Sequence, residues 1–338
     1  MGGRFGTLMR RVAPTLLLLV AVAAQPSAHA DSNPGVVEID NLQPFTQVLV
    51  MSDAHGEYSH LTKLLKAAGV TDRSQNWSAG KTLFIVVGDS IDKGPDSMKV
   101  LALWIKLGSQ AALSGGRLVV LLGNHEAEFL ANPENKKTAV FRAELSKAGI
   151  TVQDVADGKD SQGFGKFMLG LPLAARVGRF LFAHAGWYPA NTTWSNFVNK
   201  ARVTLSARNY TDDFITGSHS ILEEKEETPG TKWYDDKTAV MSLENRIGAI
   251  QLYGVVFGHQ PKAFGFKGKL GGVDHLHIIK IDSGMAPDAE DSSGEILRFK
   301  HPDDLLKMAE PRADRVQADG DHKKLDQVKV SQGPGGNP

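Results

Sequence analysis

Leu83-Phe84-Ile85-Val86-Val87-Gly88-Asp89-Ser90-Ile91-Asp92-Lys93-Gly94 is the stretch that decides the fold. Five apolar residues in a row, Leu83 to Val87, suit a strand buried on both faces, as strands of helix-covered parallel sheets are. The polar residues follow at once, so Asp89, Asp92 and Lys93 stand at the carboxyl end of that strand. In open α/β sheets that is the edge where ligands bind.

Working outward, apolar runs lead into polar motifs again and again. Val48 to Met51 precedes Ser52-Asp53-Ala54-His55-Gly56, and Leu118 to Leu122 precedes Gly123-Asn124-His125-Glu126. A hairpin over Ala174 to His184, turning near Gly178-Arg179, delivers Ala183-His184-Ala185-Gly186. Val255 to Phe257 delivers Gly258-His259-Gln260-Pro261. A lone D-x-H is weak evidence of function, but five such motifs in one order along one sheet edge are not.

Asp53 and His55 are one residue apart, and the two-residue period of a strand sends both side chains the same way. One ion can take both. Asp89 has two oxygens and sits on the neighbouring strand, which makes it the bridge that two cations a few ångströms apart need to screen their repulsion. Asn124 offers a neutral amide oxygen, and His184 and His259 offer imidazole nitrogens, to the second ion. The expected cofactor is therefore two divalent metal ions, held by Asp53, His55, Asp89, Asn124, His184 and His259. Nitrogen and oxygen donors suit manganese, iron or zinc, with manganese the first expectation.

Two such ions lower the pKa of a water between them from about 15.7 towards about 7, so hydroxide can attack without a side-chain nucleophile. His125 neighbours a ligand, and adjacent residues in ordinary backbone do not point at one ion. It reads instead as the general acid for the leaving oxygen, a role worth roughly 10² to 10⁴-fold. Asp92 can hydrogen-bond that imidazole and keep it protonated, and Lys93 brings positive charge to a phosphoryl oxygen. His125 and Asp92 are the candidate catalytic pair; Lys93 and Asn124 are the candidate substrate-binding residues.

The order D-x-H-G, G-D-x-x-D-[RK]-G, G-N-H-E, H-A-G, G-H-x-P, closed by Ile281-Asp282-Ser283-Gly284, resembles the phosphoprotein-phosphatase branch of the calcineurin-like metallophosphoesterases. The resemblance spans residues 45–300. It implies an α/β fold, a four-layer αββα sandwich with the metals at the strand ends, and assigns the same ligands and the same acid pair. Lys93 stands where most members carry arginine, which is similar to the bacterial Shewanella-like phosphatases. Many relatives also supply a second arginine between the last two histidine ligands. Here that context reads Lys232-Trp233-Tyr234-Asp235-Asp236, with acid where the arginine would be, and a tyrosine signature near the C-terminus is absent. The implied activity is hydrolysis of phosphomonoesters, including those of phosphoproteins. The alternatives are a nucleoside polyphosphate hydrolase, as in the symmetrical diadenosine tetraphosphatases whose histidine motif also reads H-A-G, and a metal- or phospho-ligand-binding protein without turnover.

Arg4, Arg10 and Arg11 precede the apolar stretch Val12 to Ala24, and Ala28-His29-Ala30 offers an A-x-A cleavage site. Residues 1–30 thus read as a signal peptide, which makes the expected location periplasmic or secreted. The 338-residue chain balances 38 basic against 38 acidic residues. Cleavage removes the three arginines and leaves a formal charge of −3 (35 against 38), which argues against a nucleic-acid partner. No membrane partner is expected after cleavage. The chain has no cysteine, so disulfides and thiolate metal sites are excluded.

A helix after the first motif should bury Tyr58, Leu61, Leu65 and Ala68 and stop at Gly69. Asp96 is the expected N-cap of the next, with Met98, Leu101, Ile105 and Gly108 at helical spacing. Leu276 to Ile281 and Glu295 to Phe299 should finish the second sheet, with His275 and His277 ordinary strand residues. Asn191 to Asn245 should fold over the metal mouth. Glu223-Glu224-Lys225-Glu226-Glu227 reads as a solvated charged face. Trp187 and Tyr188 either line the substrate groove or pack beside the strand. Residues 301–338 read as a charged, disordered tail with one short helix around Leu305 to Ala309.

Overall fold

Runs such as Val48-Leu49-Val50-Met51 are apolar throughout because each face of the strand has a layer to meet. In the computed structural model, residues 33–223, 226–228 and 231–328 are described, together with Gly2. The chain passes through Val36–Ile39 (β1), Gln47–Met51 (β2), Tyr58–Ala67 (α1), Thr82–Val86 (β3), Ser97–Leu113 (α2), Arg117–Val120 (β4) and Asn124–Ala131 (α3). Three short helices, Ala139–Lys147 (α4), Val152–Asp157 (α5) and Phe164–Leu169 (α6), lead to the hairpin Ala174–Val177 (β5) and Phe180–Ala183 (β6). Trp194–Ser206 (α7), Asp213–Thr216 (α8), the small hairpin Glu226–Thr228 (β7) and Thr231–Lys232 (β8), and Lys237–Ala249 (α9) precede Gly254–Phe257 (β9). Gly271–Val273 (β10), Ile278–Lys280 (β11), Glu295–Phe299 (β12), Ala313–Gln317 (β13), His322–Lys324 (β14) and Asp326–Val328 (β15) complete it.

Two mixed sheets result, ordered β14-β13-β12-β2-β3-β4 and β1-β5-β6-β9-β11-β10-β15. The strand period divides their residues between two cores. Val48, Val50, Leu83, Ile85, Phe180, Phe182, Val256 and Ile279 join one apolar cluster between the sheets, while Leu49, Met51, Phe84 and Val86 join Leu61, Leu64, Val100 and Trp104 of the covering helices. This is the α/β sandwich of two sheets flanked by helices that the motif order implies. At roughly 25 cal/mol per Å² of apolar surface removed from water, such burial is the main term holding the layers together.

The expected strands and the hairpin turning at Gly178-Arg179 are present. α1 buries Leu61, Leu64 and Leu65 and gives way to Gly69 at φ 71°. On α2 the buried stripe is Val100, Leu101, Leu103, Trp104, Leu107 and Ala111, rotated from the expected one. Asp96 makes no side-chain cap bond and pairs with Lys99 at 2.7 Å instead.

Three expectations are corrected. β12 joins the first sheet, antiparallel to β2 with Leu297 opposite Val50 and Phe299 opposite Val48, because Leu297 and Phe299 enter the core between the sheets, Ile296 enters the core on the helix side, and the free edge of β2 is a buried position. Asp274, His275 and Leu276 form a turn of left-handed residues (φ 40°, 58° and 60°), so the strand begins only at Ile278. The segment 301–328 is ordered: β13 pairs with β12, β14 with β13, and β15 with β10. Its charges pair with those of β12, Asp314 with Arg298 at 2.7 Å and Arg315 with Glu295 at 3.2 Å, which is why a charged composition did not prevent folding. The expected signal peptide, and residues 329–338 of the expected tail, lie outside the described residues, apart from Gly2.

Candidate metal centre

The polar motifs sit just past the strand ends. β2 stops at Met51 and β3 at Val86, and Asp53, His55 and Asp89 adopt left-handed backbone at φ 54°, 44° and 52°. Asp53 and His55 therefore converge through two tight turns, not through the alternation of an extended strand. The two loops are zipped by Asp53 N to Gly88 O (3.1 Å), His55 N to Asp89 O (2.9 Å) and Gly56 N to Ser90 O (2.9 Å). Asp92, Lys93 and His259 share the left-handed region, at 69°, 61° and 65°. Each such non-glycine residue costs on the order of 1–3 kcal/mol and persists only where its surroundings over-determine it.

Glu126 supplies much of that determination. Its fully buried carboxylate accepts hydrogen bonds from the backbone N–H groups of Asp89 (3.1 Å), Ser90 (2.7 Å), Ile91 (3.0 Å) and Gly123 (2.9 Å), so one side chain on α3 fixes the whole turn after β3. Glu126 closes the Gly123-Asn124-His125-Glu126 motif, whose ligand chemistry assigns it no role. Its place three residues past the helix cap, where a glutamate commonly reaches back, was the available signal. Gly123 and Gly258 leave space for the site: a Cβ would come within 2.2 Å of Asp89 Oδ1 at the first and 2.3 Å of Asp53 Oδ2 at the second.

Two groups of ligand atoms share Asp89. His55, Asp89 and His125 form one, and Asp89, His184 and His259 the other, with the atoms of each group within 4.8 Å of one another. His55 Nε2 is 3.5 Å from Asp89 Oδ2 and 3.8 Å from Asp53 Oδ1. His184 Nε2 is 3.3 Å from Asp89 Oδ2, 2.9 Å from Asn124 Oδ1 and 3.1 Å from His259 Nδ1. The backbone N–H of His259 donates to both oxygens of Asp53, at 3.0 and 3.1 Å. All six expected ligands thus lie in one nest. Asn124 and His125, adjacent at the start of α3, turn to different groups.

Asp53, His55, Asp89 and His184 are buried, and their charges are settled among themselves. Burial pushes His55 down to about 3. Burial also opposes charge on His184, yet Asp89 and Asp53 beside it raise it to about 10. Burial alone would raise Asp89, but His184 and His125 together hold it well below the usual carboxylate range. Asp53 is raised by burial and by Asp282. Carboxylates and imidazoles packed this closely share protons that divalent cations would displace, which is the chemistry of a metal site. The donor set fits two such ions: oxygen and nitrogen only, one shared carboxylate, and no thiolate.

His125 Nδ1 faces Asp92 Oδ2 at 3.6 Å, and the other Asp92 oxygen accepts from the N–H groups of Val140 (3.1 Å) and Phe141 (3.2 Å). α4 thereby aims Asp92 at the imidazole, whose pKa is raised: burial works against its charge, but Asp89 and Asp92 outweigh burial. Lys93 lies at the rim, 3.9 Å from Asp288, in a cavity of about 290 Å³ that Asp92, Lys136 and Lys137 also line. Of the two acids that follow Trp233-Tyr234 in place of an arginine, Asp236 caps α9 by accepting from Thr238 N at 2.8 Å. Trp187 and Tyr188 pack as core residues, Trp187 against Trp233 (5.5 Å between ring centroids) and Tyr188 against Phe197 (5.2 Å). His275 and His277 lie apart, paired with Glu310 and Glu244.

The sandwich and its shared-carboxylate centre define the class of protein. Residues 46–263 match the calcineurin-like phosphoesterase family, and the chain belongs to that family. It is similar to an uncharacterised protein of Schizosaccharomyces pombe, at 26% identity over 253 residues that cover 71% of this chain and 73% of that one. It is also similar to Shewanella-like protein phosphatase 2 of Arabidopsis thaliana, at 34% identity over 80 residues, 24% of this chain and 20% of that protein. The fold is shared with the cold-active protein-tyrosine phosphatase of a psychrophilic Shewanella species, at a TM-score of 0.67 and 20% identity, over 88% of this chain and 84% of that one. The site is a binuclear metal-binding phosphoesterase site, and the chain is a metal-dependent phosphoesterase.

Proposed function

We propose that the substrates are phosphomonoesters of the phosphoprotein type, that manganese serves in both positions, and that the enzyme works outside the cytoplasm after cleavage at Ala30. The observation that carries the reading is the shared Asp89 with the His125–Asp92 pair beside it. Two divalent ions, when bound, supply positive charge to phosphoryl oxygens and acidify a water. Asp89 keeps the two positions close, and Asp53, His55, His184 and His259 fix each of them. Asp92, immobilised by two backbone N–H groups, favours protonated His125, which stands ready to give its proton to the departing oxygen. Lys93 steers the phosphoryl group at the rim. The likeness to a protein-tyrosine phosphatase and to a Shewanella-like protein phosphatase supports a phosphoprotein substrate.

The test is a panel of phosphoserine, phosphothreonine and phosphotyrosine peptides, dinucleoside polyphosphates and p-nitrophenyl phosphate, with the metal content of the purified protein measured alongside. Phosphopeptides should exceed dinucleotides in kcat/KM; the reverse order would replace the proposed substrate by a nucleoside polyphosphate. His125→Asn should keep both ions and lose much more rate on alkyl phosphates than on p-nitrophenyl phosphate, whose leaving group needs little protonation. Equal losses on both would count against the acid role.

A further inference from the structure

The acidic run that begins at Glu223 was expected to be a solvated face, yet the Glu223 side chain is only 11% exposed and its carboxylate points at the metal centre. Asn124 Nδ2 donates to Glu223 Oε1 at 2.9 Å, while the other end of the same amide, Oδ1, lies 2.9 Å from His184 Nε2. An amide has a donor end and an acceptor end of nearly equal size, and nothing in its own shape decides which faces an ion. An ionised carboxylate can only accept. It takes the NH₂ end of Asn124 and repels the oxygen, so the oxygen is left facing the group of Asp89, His184 and His259.

Glu223 is itself held. Ser220 Oγ accepts from Leu222 N (3.3 Å) and Glu223 N (3.2 Å), and the Ile221 carbonyl accepts from the N–H of Ala185, the residue after His184 (2.9 Å). Ile221 and Leu222 are buried. The turn carrying Glu223 is thus tied to the same loop that carries a ligand. On its outer side Glu223 meets Glu128, whose carboxyl is pushed up to about 7 by burial and by Glu223, and Lys137, 3.3 Å from Glu223 and closely paired with Glu128, offsets part of that repulsion.

We propose that Glu223 is a positioning residue for the second ion: it locks the Asn124 amide with oxygen towards that ion and leaves the second N–H of the amide available to a phosphoryl group at the mouth. This rests on the two-metal reading of Asn124. The experiment is calorimetric titration of Mn²⁺ into metal-free full-length protein, for the parent, Glu223→Gln and Glu223→Ala, with the unfolding temperature of each metal-free protein recorded. Groups that orient metal ligands typically change metal affinity 10- to 100-fold. One of the two binding steps should weaken by about that factor in Glu223→Ala and by less in the isosteric Glu223→Gln, which can still accept but carries no charge. The other step and the unfolding temperature should stay as in the parent, and turnover of both variants should recover at high Mn²⁺. Two unchanged steps, or two steps weakened alike, would overturn the proposal. A parent that binds fewer than two ions would instead overturn the two-metal reading beneath it.

Discussion

Asp89 is the residue whose loss should be felt furthest, because both groups of ligands use it. Asp89→Asn keeps the size of the side chain and removes the charge that lets two cations sit close together. We expect it to lose at least one ion and nearly all turnover, measured by metal analysis and steady-state kinetics on the same sample. Two ions retained at near-parent rate would mean that the bridge lies elsewhere. Lys93 carries the opposite charge, a mobile point charge at the rim where an arginine would offer a planar fork, and the proposed function gives it a phosphoryl oxygen to hold. Lys93→Ala should lower kcat/KM roughly ten- to a hundredfold, the loss of about 1.4–2.7 kcal/mol expected of one charged contact. Lys93→Arg should leave KM unchanged or modestly lower. An alanine variant with parent kcat/KM at full metal loading would show that phosphate draws its charge from another residue. At this scale the candidate ligands were legible and their supports were not. Ligand types are written in the motifs, whereas Glu126 and Glu223 act through bonds to backbone and amide groups that many glutamates could make; only the fold selects these two.

Among the elements, the turn after β3 and the start of α3 form one assembly. Gly123→Ala would drive a Cβ to 2.2 Å from Asp89 N and Oδ1, so either the helix or the Asp89 turn must move. We expect a loss of about 1–3 kcal/mol of stability, typical of overpacking, together with weakened metal binding. Chemical denaturation and metal analysis of the variant would check both, and parent values for the two would show that the contact is soft. The apolar runs revealed the strands because both faces are buried, but the same lack of polar alternation hid which sheet a strand joins. β12 is another case: Ile296, Leu297 and Phe299 would suit either sheet, and only the pairing with β2 places the strand. The left-handed turns at Asp53, His55 and Asp89 were equally hidden, since aspartate and histidine carry no glycine-like mark of such backbone.

For the molecule as a whole, the last described segment matters more than its composition suggests. Asp304, in the turn Pro302–Leu306, accepts from Arg312 Nε and Lys307 Nζ, both at 2.7 Å, and these partners hold its carboxyl below the usual range although partial burial works the other way. A carboxyl with a lower pKa folded than unfolded stabilises the protein fully above its unfolded value, about 3.9, and the contribution fades as pH falls through the folded value. Asp304→Asn should therefore be less stable than the parent at about pH 7, and the difference should shrink as pH is taken below about 4. A gap independent of pH in denaturation curves would assign the loss to packing.

The pairing of β2 with β12 sets the order in which this chain can assemble. Val50 meets Leu297 across the sheet, and β13 and β14 add only beyond that seam. A partner so distant along the chain makes for costly loop closure and slow folding. During synthesis the strand that leads into Asp53 and His55 is made early, yet one of its edges stays open until residue 299 has emerged. The loops carrying Asp53 and His55 can thus be fully braced only after residue 299 has been made, so catalytic competence comes long after the first ligands are synthesised.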